Sequence, residues 1–299
     1  MSNPISAAQV KELRDRTGAG MMDCKSALME ANGDMEEAIT ILRKKGMAQV
    51  AKKAGRTMKE GLVGVRLNAD ATDGVVAEVN CETDFVARTP AFQALVLGVT
   101  ADLLAAPSTE DPQALAAADG PVGQKVAEKI ATTGENMAVS RAARFTSDGL
   151  VGSYLHAPAG ADGGEAVGGK IGVLVELQGV PAANRTSDAV QTLVREVAMQ
   201  IAAASPSYAT REEVPASVIE QEKNIYRAQM ENSGKPANVI EKIVEGKLGS
   251  YYGVAVLPDQ PSIRDPKTTV AQVITEAAKT IGGPLRVSRF VRFKVGESA

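Results

Sequence analysis

The sequence is short of the residues on which most enzymes and metalloproteins depend. It contains one histidine, His156, and two cysteines, Cys24 and Cys81, among 299 residues. A single histidine excludes the zinc sites that need two, such as HExxH. Two cysteines without a CxxC pair form no disulfide framework, which is typical of a reducing cytosol. Phosphate-binding loops and nucleophile elbows are also missing, so the sequence favours a protein without covalent chemistry, cofactor or metal.

Aromatic side chains and net charge are scarce as well. Aromatic residues make up 3% of the chain, tryptophan is absent and the formal net charge is −3. The chain therefore lacks both a base-stacking platform and the strong basic footprint of a nucleic-acid binder. The basic stretch between Arg43 and Lys59 is accordingly predicted to be a solvated helical linker, with RNA binding as the less favoured alternative. We expect no direct nucleic-acid partner.

Long hydrophobic runs are absent too. No apolar run reaches the roughly 18 residues that suggest a membrane-spanning helix. The first 20 residues are polar and lack the apolar segment of a signal peptide. The sequence thus predicts no membrane partner and a cytoplasmic location.

Residues 1–55 show three short helical patterns, which predict a small helical module followed by a linker. Ser6 is expected to cap the first helix and Asp23 the second. The third is expected to begin after Asp34 and to end at Gly46. So small a bundle buries little core, and this favours a recognition module over an enzyme.

The remainder of the chain repeats itself. GLVG occurs twice, and two further segments have a similar partner in the same order: 61–64 and 149–152, 74–79 and 172–177, 139–145 and 287–293. Matches in one order indicate a duplicated unit. Each copy shows the pattern strand, strand, helix, helix, strand, which predicts a small antiparallel sheet with helices on one face and an α+β fold. We place the two copies at 56–148 and 149–299.

The second copy carries an insertion, because the offset between matching segments grows from 98 to 148 residues. Apolar residues at helical spacing follow Pro215 and continue from Val239, with turn residues at 233–236 between them. This pattern predicts a helical hairpin at about 212–252. Apolar surface left on the hairpin would suit a partner chain or a second copy of the protein; packing on its own domain is equally favoured.

One polar segment, 82–88, contains an isolated aromatic side chain, Phe85. The other four phenylalanines fall on predicted helices or strands. Phe85 is expected either to fold back on the core or to form a wedge presented to a partner, and the residues alone leave both open. Met21 and Met22 pose the same choice between core filling and a partner surface.

Several segments resemble the bacterial translation elongation factor Ts family. They are LRDRTGAGMMDCKSAL and EANGDMEEAI in the N-terminal module, EVNCETDFVAR at 78–88 and LVGSYLH at 150–156. The resemblance runs from about residue 5 to 296 and includes the duplication and the inserted hairpin. It implies guanine-nucleotide exchange on elongation factor Tu, with no covalent chemistry.

The resemblance also implies roles for particular residues. A module similar to ubiquitin-associated (UBA) domains is expected to dock on the G domain of the partner through Arg14, Met21 and Met22. A second motif is expected to enter the G domain and dislocate its bound Mg²⁺, and it consists of Thr83, Asp84, Phe85 and Val86.

Two further contacts with the partner are implied in the same way. Gly134 matches a glycine in the loop before the third strand, and His156 matches a position near the third domain of the partner. The hairpin resembles a coiled-coil element of the family, so homodimerisation or a two-plus-two assembly through it is an open expectation. The alternative function is a UBA-type adaptor without exchange activity.

Overall fold

Three helices precede two similar units of sheet and helices. The structure, a computed structural model, describes residues 5–53, 55–117, 120–156, 168–230 and 233–297. The helices are α1 Ala7–Thr17, α2 Met21–Glu30, α3 Met35–Lys53, α4 Asp84–Ala87, α5 Pro90–Ala105, α6 Pro112–Ala116, α7 Pro121–Thr133, α8 Asp188–Ala204, α9 Ala216–Met230, α10 Ala237–Ala255 and α11 Val270–Ile281. The strands are β1 Glu60–Leu67, β2 Asp73–Cys81, β3 Met137–Thr146, β4 Leu150–His156, β5 Ile171–Gln178 and β6 Arg286–Lys294. The predicted α+β class is confirmed.

The N-terminal helices begin largely where their caps predict. Ser6 accepts from the backbone N–H of Gln9 and completes a capping box at the start of α1. The prediction that Asp23 caps α2 is wrong, because the extended backbone of Gly20 starts the helix at Met21. Asp23 lies in the first turn of α2 instead, where its charge still suits the positive end of the helix.

The prediction that Gly46 ends the third helix is also wrong, because α3 continues through Gly46 to Lys53. A glycine inside a helix costs only about 1 kcal/mol relative to alanine. The packing of α3 along α7 offsets this cost. The helix therefore links the module to the first sheet unit.

Each unit contains a three-stranded antiparallel sheet, ordered β1-β2-β3 in the first and β4-β5-β6 in the second. Helices α5 and α7 cover one face of the first sheet, and α8 and α11 cover one face of the second. The register of the central strand shifts at Glu78/Val79 in the first sheet and at Glu176/Leu177 in the second. The two predicted copies thus share even this irregularity of strand pairing, at matching positions.

The faces without helices pack against each other and form a core between the two sheets. The buried side chains of this core come from both units: Val63, Val76, Phe145, Val151, Leu174 and Phe293. A backbone bridge joins Val63 of the first unit to Gly169 of the second. A side chain at Gly172 would overlap Val63, so only glycine permits this approach of the sheets.

On each sheet, an arginine paired with a buried glutamate reaches across to the other unit. Arg141 of β3 binds Glu78 of β2 and stacks on the ring of Phe293 in β6, 4.5 Å from its centroid. The same Arg141 donates to the backbone oxygen of Lys294 at 2.9 Å. The second unit repeats the arrangement with the matching residues Glu176, Arg289 and Phe145. The two units therefore hold each other through reciprocal contacts.

The insertion forms the predicted antiparallel hairpin of α9 and α10, with Gly234 in the left-handed region of the turn. Arg227 joins the two helices through an ion pair with Glu241 at 2.8 Å. The base is fixed where Tyr208 pairs with Val256. The boundaries proposed at 55/56 and 148/149 stay a prediction. None of the helices that the structure describes combines the length and hydropathy needed to cross a membrane.

Candidate partner-binding surface

Three of the predicted contact residues are large apolar side chains that lie in solvent. Phe85 is 81% exposed, Met22 75% and Met21 48%. Phe92, only seven residues after Phe85, is 1% exposed and lies in the core of the first unit. These exposures exclude the core-filling interpretation of Phe85, Met21 and Met22.

The local fold explains why Phe85 points outward. It lies on α4, a single helical turn whose N-cap is Thr83. Ala87 is buried and Val86 packs against the core of the first unit. Successive side chains on a helix point about 100° apart, so the inward direction of 86 and 87 leaves Phe85 on the outer side. Thr89 then caps α5, its hydroxyl accepting from the backbone N–H of Phe92.

Two glutamates that the sequence did not single out hold this turn. Glu135 accepts two hydrogen bonds from Thr83, from the backbone N–H at 3.1 Å and from Oγ1 at 2.7 Å. Glu82 accepts from the backbone N–H of Asn136 at 2.7 Å. This hydrogen bond lowers the pKa of Glu82, and the nearby Arg56 guanidinium lowers it further. The α4 turn thus donates hydrogen bonds to the loop that follows α7, and the segment before the turn accepts one from that loop.

Gly134 lies at the start of that loop. It ends α7 with a φ of +85°, and apart from the adjoining backbone no atom of the described residues lies within 4 Å of the place where a side chain would begin. The α1–α2 turn lies beside the same helix end, because a Cβ on Gly18 would be 3.5 Å from Cγ2 of Thr132. The end of α7 at Gly134 therefore lies between the α1–α2 turn, which leads into Met21, and the α4 turn.

Arg14 belongs to the same part of the molecule. It lies exposed in the last turn of α1, and its backbone oxygen accepts from Gly18. We use the name contact surface for this set of predicted residues: Arg14, Met21, Met22, Thr83, Asp84, Phe85, Val86 and Gly134.

His156 is connected to the contact surface only indirectly. It ends β4 with an exposed side chain whose Nδ1 lies 3.2 Å from the hydroxyl of Tyr154. Its backbone oxygen accepts from Lys170, whose ammonium binds Glu60 at 2.6 Å. Glu60 pairs in turn with Cys81 at the end of β2. His156 thus lies at the same end of the paired sheets as the α4 turn, but it makes no contact with that turn in the bonds described above.

The chemistry available at the contact surface is that of binding. Asp84 forms an ion pair with Arg88 at 2.9 Å beside the exposed ring of Phe85. Within the described ranges, no group of three or more His, Cys, Asp or Glu side chains is arranged to hold a metal ion. An apolar tip flanked by charge can enter a pocket of a partner.

Cys81 gives a first prediction, because its thiol is buried directly before the α4 turn. Burial raises the pKa of Cys81 from 9.0 to about 12. Since folding raises this pKa, the stabilising contribution of the neutral thiol is present below about pH 9 and is lost as the pH rises towards about 12. A Cys24→Ala variant should therefore react with Ellman's reagent at about pH 8 only after denaturant unfolds it. Rapid stoichiometric labelling of the native variant would contradict this placement of Cys81.

Comparison with known proteins agrees with the geometry. The family model described as "Elongation factor TS" matches residues 82–297, beginning at the α4 turn. Proteins named "Elongation factor Ts" are 44% identical in Trichlorobacter lovleyi, 45% in Rhizobium etli and 46% in Bartonella bacilliformis. Each of these alignments covers 98% of this chain and 93% of the relative. With its full-length relatives and its family match, the chain belongs to the elongation factor Ts family and has the role of an elongation factor in translation.

Proposed function

We propose that the chain is a guanine-nucleotide exchange factor for elongation factor Tu. The observation that carries the proposal is the placement of Phe85, 81% exposed on a short helix held by hydrogen bonds at its start. An aromatic ring in solvent gains free energy when a partner covers it, and a rigid mounting reduces the entropy lost on binding. Family membership supports elongation factor Tu as that partner.

Two parts of the contact surface have different roles: one docks on the G domain of the partner, and the other enters it. Arg14, Met21 and Met22 of the UBA-like module dock on the G domain of the partner, since soft apolar side chains adapt to a partner surface. The Thr83–Val86 turn enters the G domain with Phe85 foremost. The open space around Gly134 lets the backbone of the partner approach. His156 supplies a more distant contact on the same edge.

The mechanism is thermodynamic linkage. In the partner, GDP and Mg²⁺ hold each other, because the metal neutralises phosphate charge. The chain binds a conformation in which the metal is dislocated and the nucleotide site is loosened. A protein that prefers this conformation lowers the affinity of the partner for GDP. By linkage, GDP lowers the affinity of the partner for this protein by the same factor. No covalent bond changes, and the nucleotide concentrations set the direction of exchange. This function places the protein in the cytoplasm, where translation takes place.

Release of fluorescent GDP from purified elongation factor Tu tests the proposal. The chain should accelerate release in a concentration-dependent manner and lower the affinity for GDP by the roughly 5–150-fold typical of coupled ligands. A UBA-type adaptor would bind the same partner without changing the release rate. That outcome would replace exchange with the adaptor function.

The hairpin has a separate proposed role in assembly. Ile225 of α9 and Val239 of α10 remain 43% and 38% exposed, so each helix has apolar surface available for a second copy. Replacing residues 223–249 with a short Gly/Ser linker keeps the apolar cluster around Val214 and Val256 at the base. We expect this variant to lose self-association in sedimentation velocity and to retain most of the exchange activity. Unchanged self-association would contradict the assembly role.

A further inference from the structure

We propose that Glu135 is a positioning residue that presents Phe85 for nucleotide release, a role that rests on the proposed function above. Glu135 lies in the loop that follows α7, 52 residues away from Thr83 in the chain. Its two carboxylate oxygens accept from the two donors of Thr83, at 3.1 and 2.7 Å. We call this arrangement, together with the bond from Asn136 to Glu82, the carboxylate clamp.

The start of the α4 turn needs such a support, because the core packing of Val86 and Ala87 holds the far end of the turn. A helix of four residues is too short to be stable by itself. Phe85 is exposed and contributes little packing to the free protein. Ala87 anchors the end of the turn in the core, and the start is held by Thr83. The packing of Val86 and Ala87 sets which side of the turn faces outward, and the hydrogen bonds that Thr83 makes to Glu135 hold the start of the turn and limit the motion of the ring.

The charge of Glu135 strengthens these bonds. Both donors of Thr83, the backbone N–H and the hydroxyl Oγ1, donate to this one carboxylate. A hydrogen bond to an ionised acceptor is about twice as strong as a neutral one. Glu135 is half-buried, which reduces competition from water. A glutamine at this position retains one acceptor but loses the charge.

The clamp also joins two parts of the contact surface. Glu82 holds the loop at Asn136 while Glu135 of that loop holds Thr83, so the turn and the loop are constrained to move together. The same loop begins at Gly134, next to the helix end that touches the α1–α2 turn. Docking of the module thus fixes the position from which Phe85 enters the partner.

The experiment compares Glu135→Ala and Glu135→Gln with a matched control, Asp102→Asn. Asp102 of α5 also binds α7, through an ion pair with Lys125, but lies outside the contact surface. The chain contains no tryptophan. Phe85→Trp therefore provides a single fluorescent reporter at the tip of the turn. Time-resolved anisotropy of this reporter is measured in the free protein with and without each substitution.

A second measurement uses the native Phe85. The affinity for elongation factor Tu and the maximal GDP release rate at saturating factor are determined for the same substitutions. We expect Glu135→Ala to lower the anisotropy of the indole reporter and to reduce the maximal rate about tenfold, with affinity changed less than about threefold. Glu135→Gln should fall between Glu135→Ala and the native chain. Asp102→Asn should match the native chain in both anisotropy and maximal rate, at a similar melting temperature.

Two results would overturn the proposal. Unchanged anisotropy in Glu135→Ala would show that the clamp does not order the turn. Lower anisotropy with an unchanged maximal rate would show that this order does not serve release. If the native chain fails to accelerate release at all, the proposed function fails and takes the positioning role with it, whereas the anisotropy still decides whether the clamp orders the turn.

Discussion

Phe85→Ala is expected to slow GDP release from elongation factor Tu by about tenfold or more while leaving the melting temperature nearly unchanged. The ring is 81% exposed, so its removal leaves no cavity. Partner binding should persist in part, because Arg14, Met21 and Met22 dock elsewhere on the contact surface. Asp84→Ala should act in the same direction with a smaller effect, since Asp84 pairs with Arg88 and flanks the ring.

Phe92→Ala is the matched control for this prediction. Phe92 is 1% exposed, and truncating a buried phenylalanine costs about 3–5 kcal/mol of the free energy of unfolding. Thermal melting and fluorescent-GDP release are measured on the same samples of both variants. A large drop in melting temperature for Phe85→Ala, with native release by the folded fraction, would place Phe85 in the core and move the mechanism to other residues.

Arg141→Ala is expected to cost about 3–5 kcal/mol of the free energy of unfolding. Glu78 is 2% exposed, and Arg141 is its ion-pair partner at 2.5 Å. Removal of the guanidinium leaves a buried carboxylate without its cation, although Asn80 and the backbone N–H of Gly296 still donate to it. The substitution also removes the stacking on Phe293 that joins the two units.

Arg289→Ala is the equivalent change in the second unit and should cost clearly less. The Arg289 side chain is 47% exposed, against 17% for Arg141, so its ion pair is better screened by water. Glu176 also retains hydrogen bonds from the hydroxyl of Ser147 and the amide of Gln178. Urea unfolding of both variants measures the two losses. An equal or larger loss for Arg289→Ala would contradict the account of the buried pairs.

The duplicated architecture could be predicted because each copy carries its own signal. The segments containing Glu78 and Glu176 match at a constant offset, and the structure places both residues at the register shift of a central strand. Alternating and helical patterns are local properties, so they survive in a single sequence. Repetition of the pattern in the second copy then supports each prediction made from the first.

The exposure of Phe85 and the carboxylate clamp could not be derived from such patterns. Exposure depends on which side of a single turn faces the core, and four residues establish no periodicity. Glu135 and Thr83 are 52 residues apart, and nothing in either segment marks the other as its hydrogen-bond partner. The errors at Asp23 and Gly46 have a similar origin, since backbone geometry and packing on α7 overrode weak local preferences.

Calorimetric titration of the chain into elongation factor Tu, nucleotide-free and GDP-bound, tests the central claim most directly. The account predicts much tighter binding to the nucleotide-free partner. It also predicts that the ratio of the two affinities equals the factor by which the chain lowers the affinity of elongation factor Tu for GDP, as linkage requires. Equal affinity for the two forms of the partner would contradict the account, because a protein that does not distinguish them cannot weaken the binding of GDP.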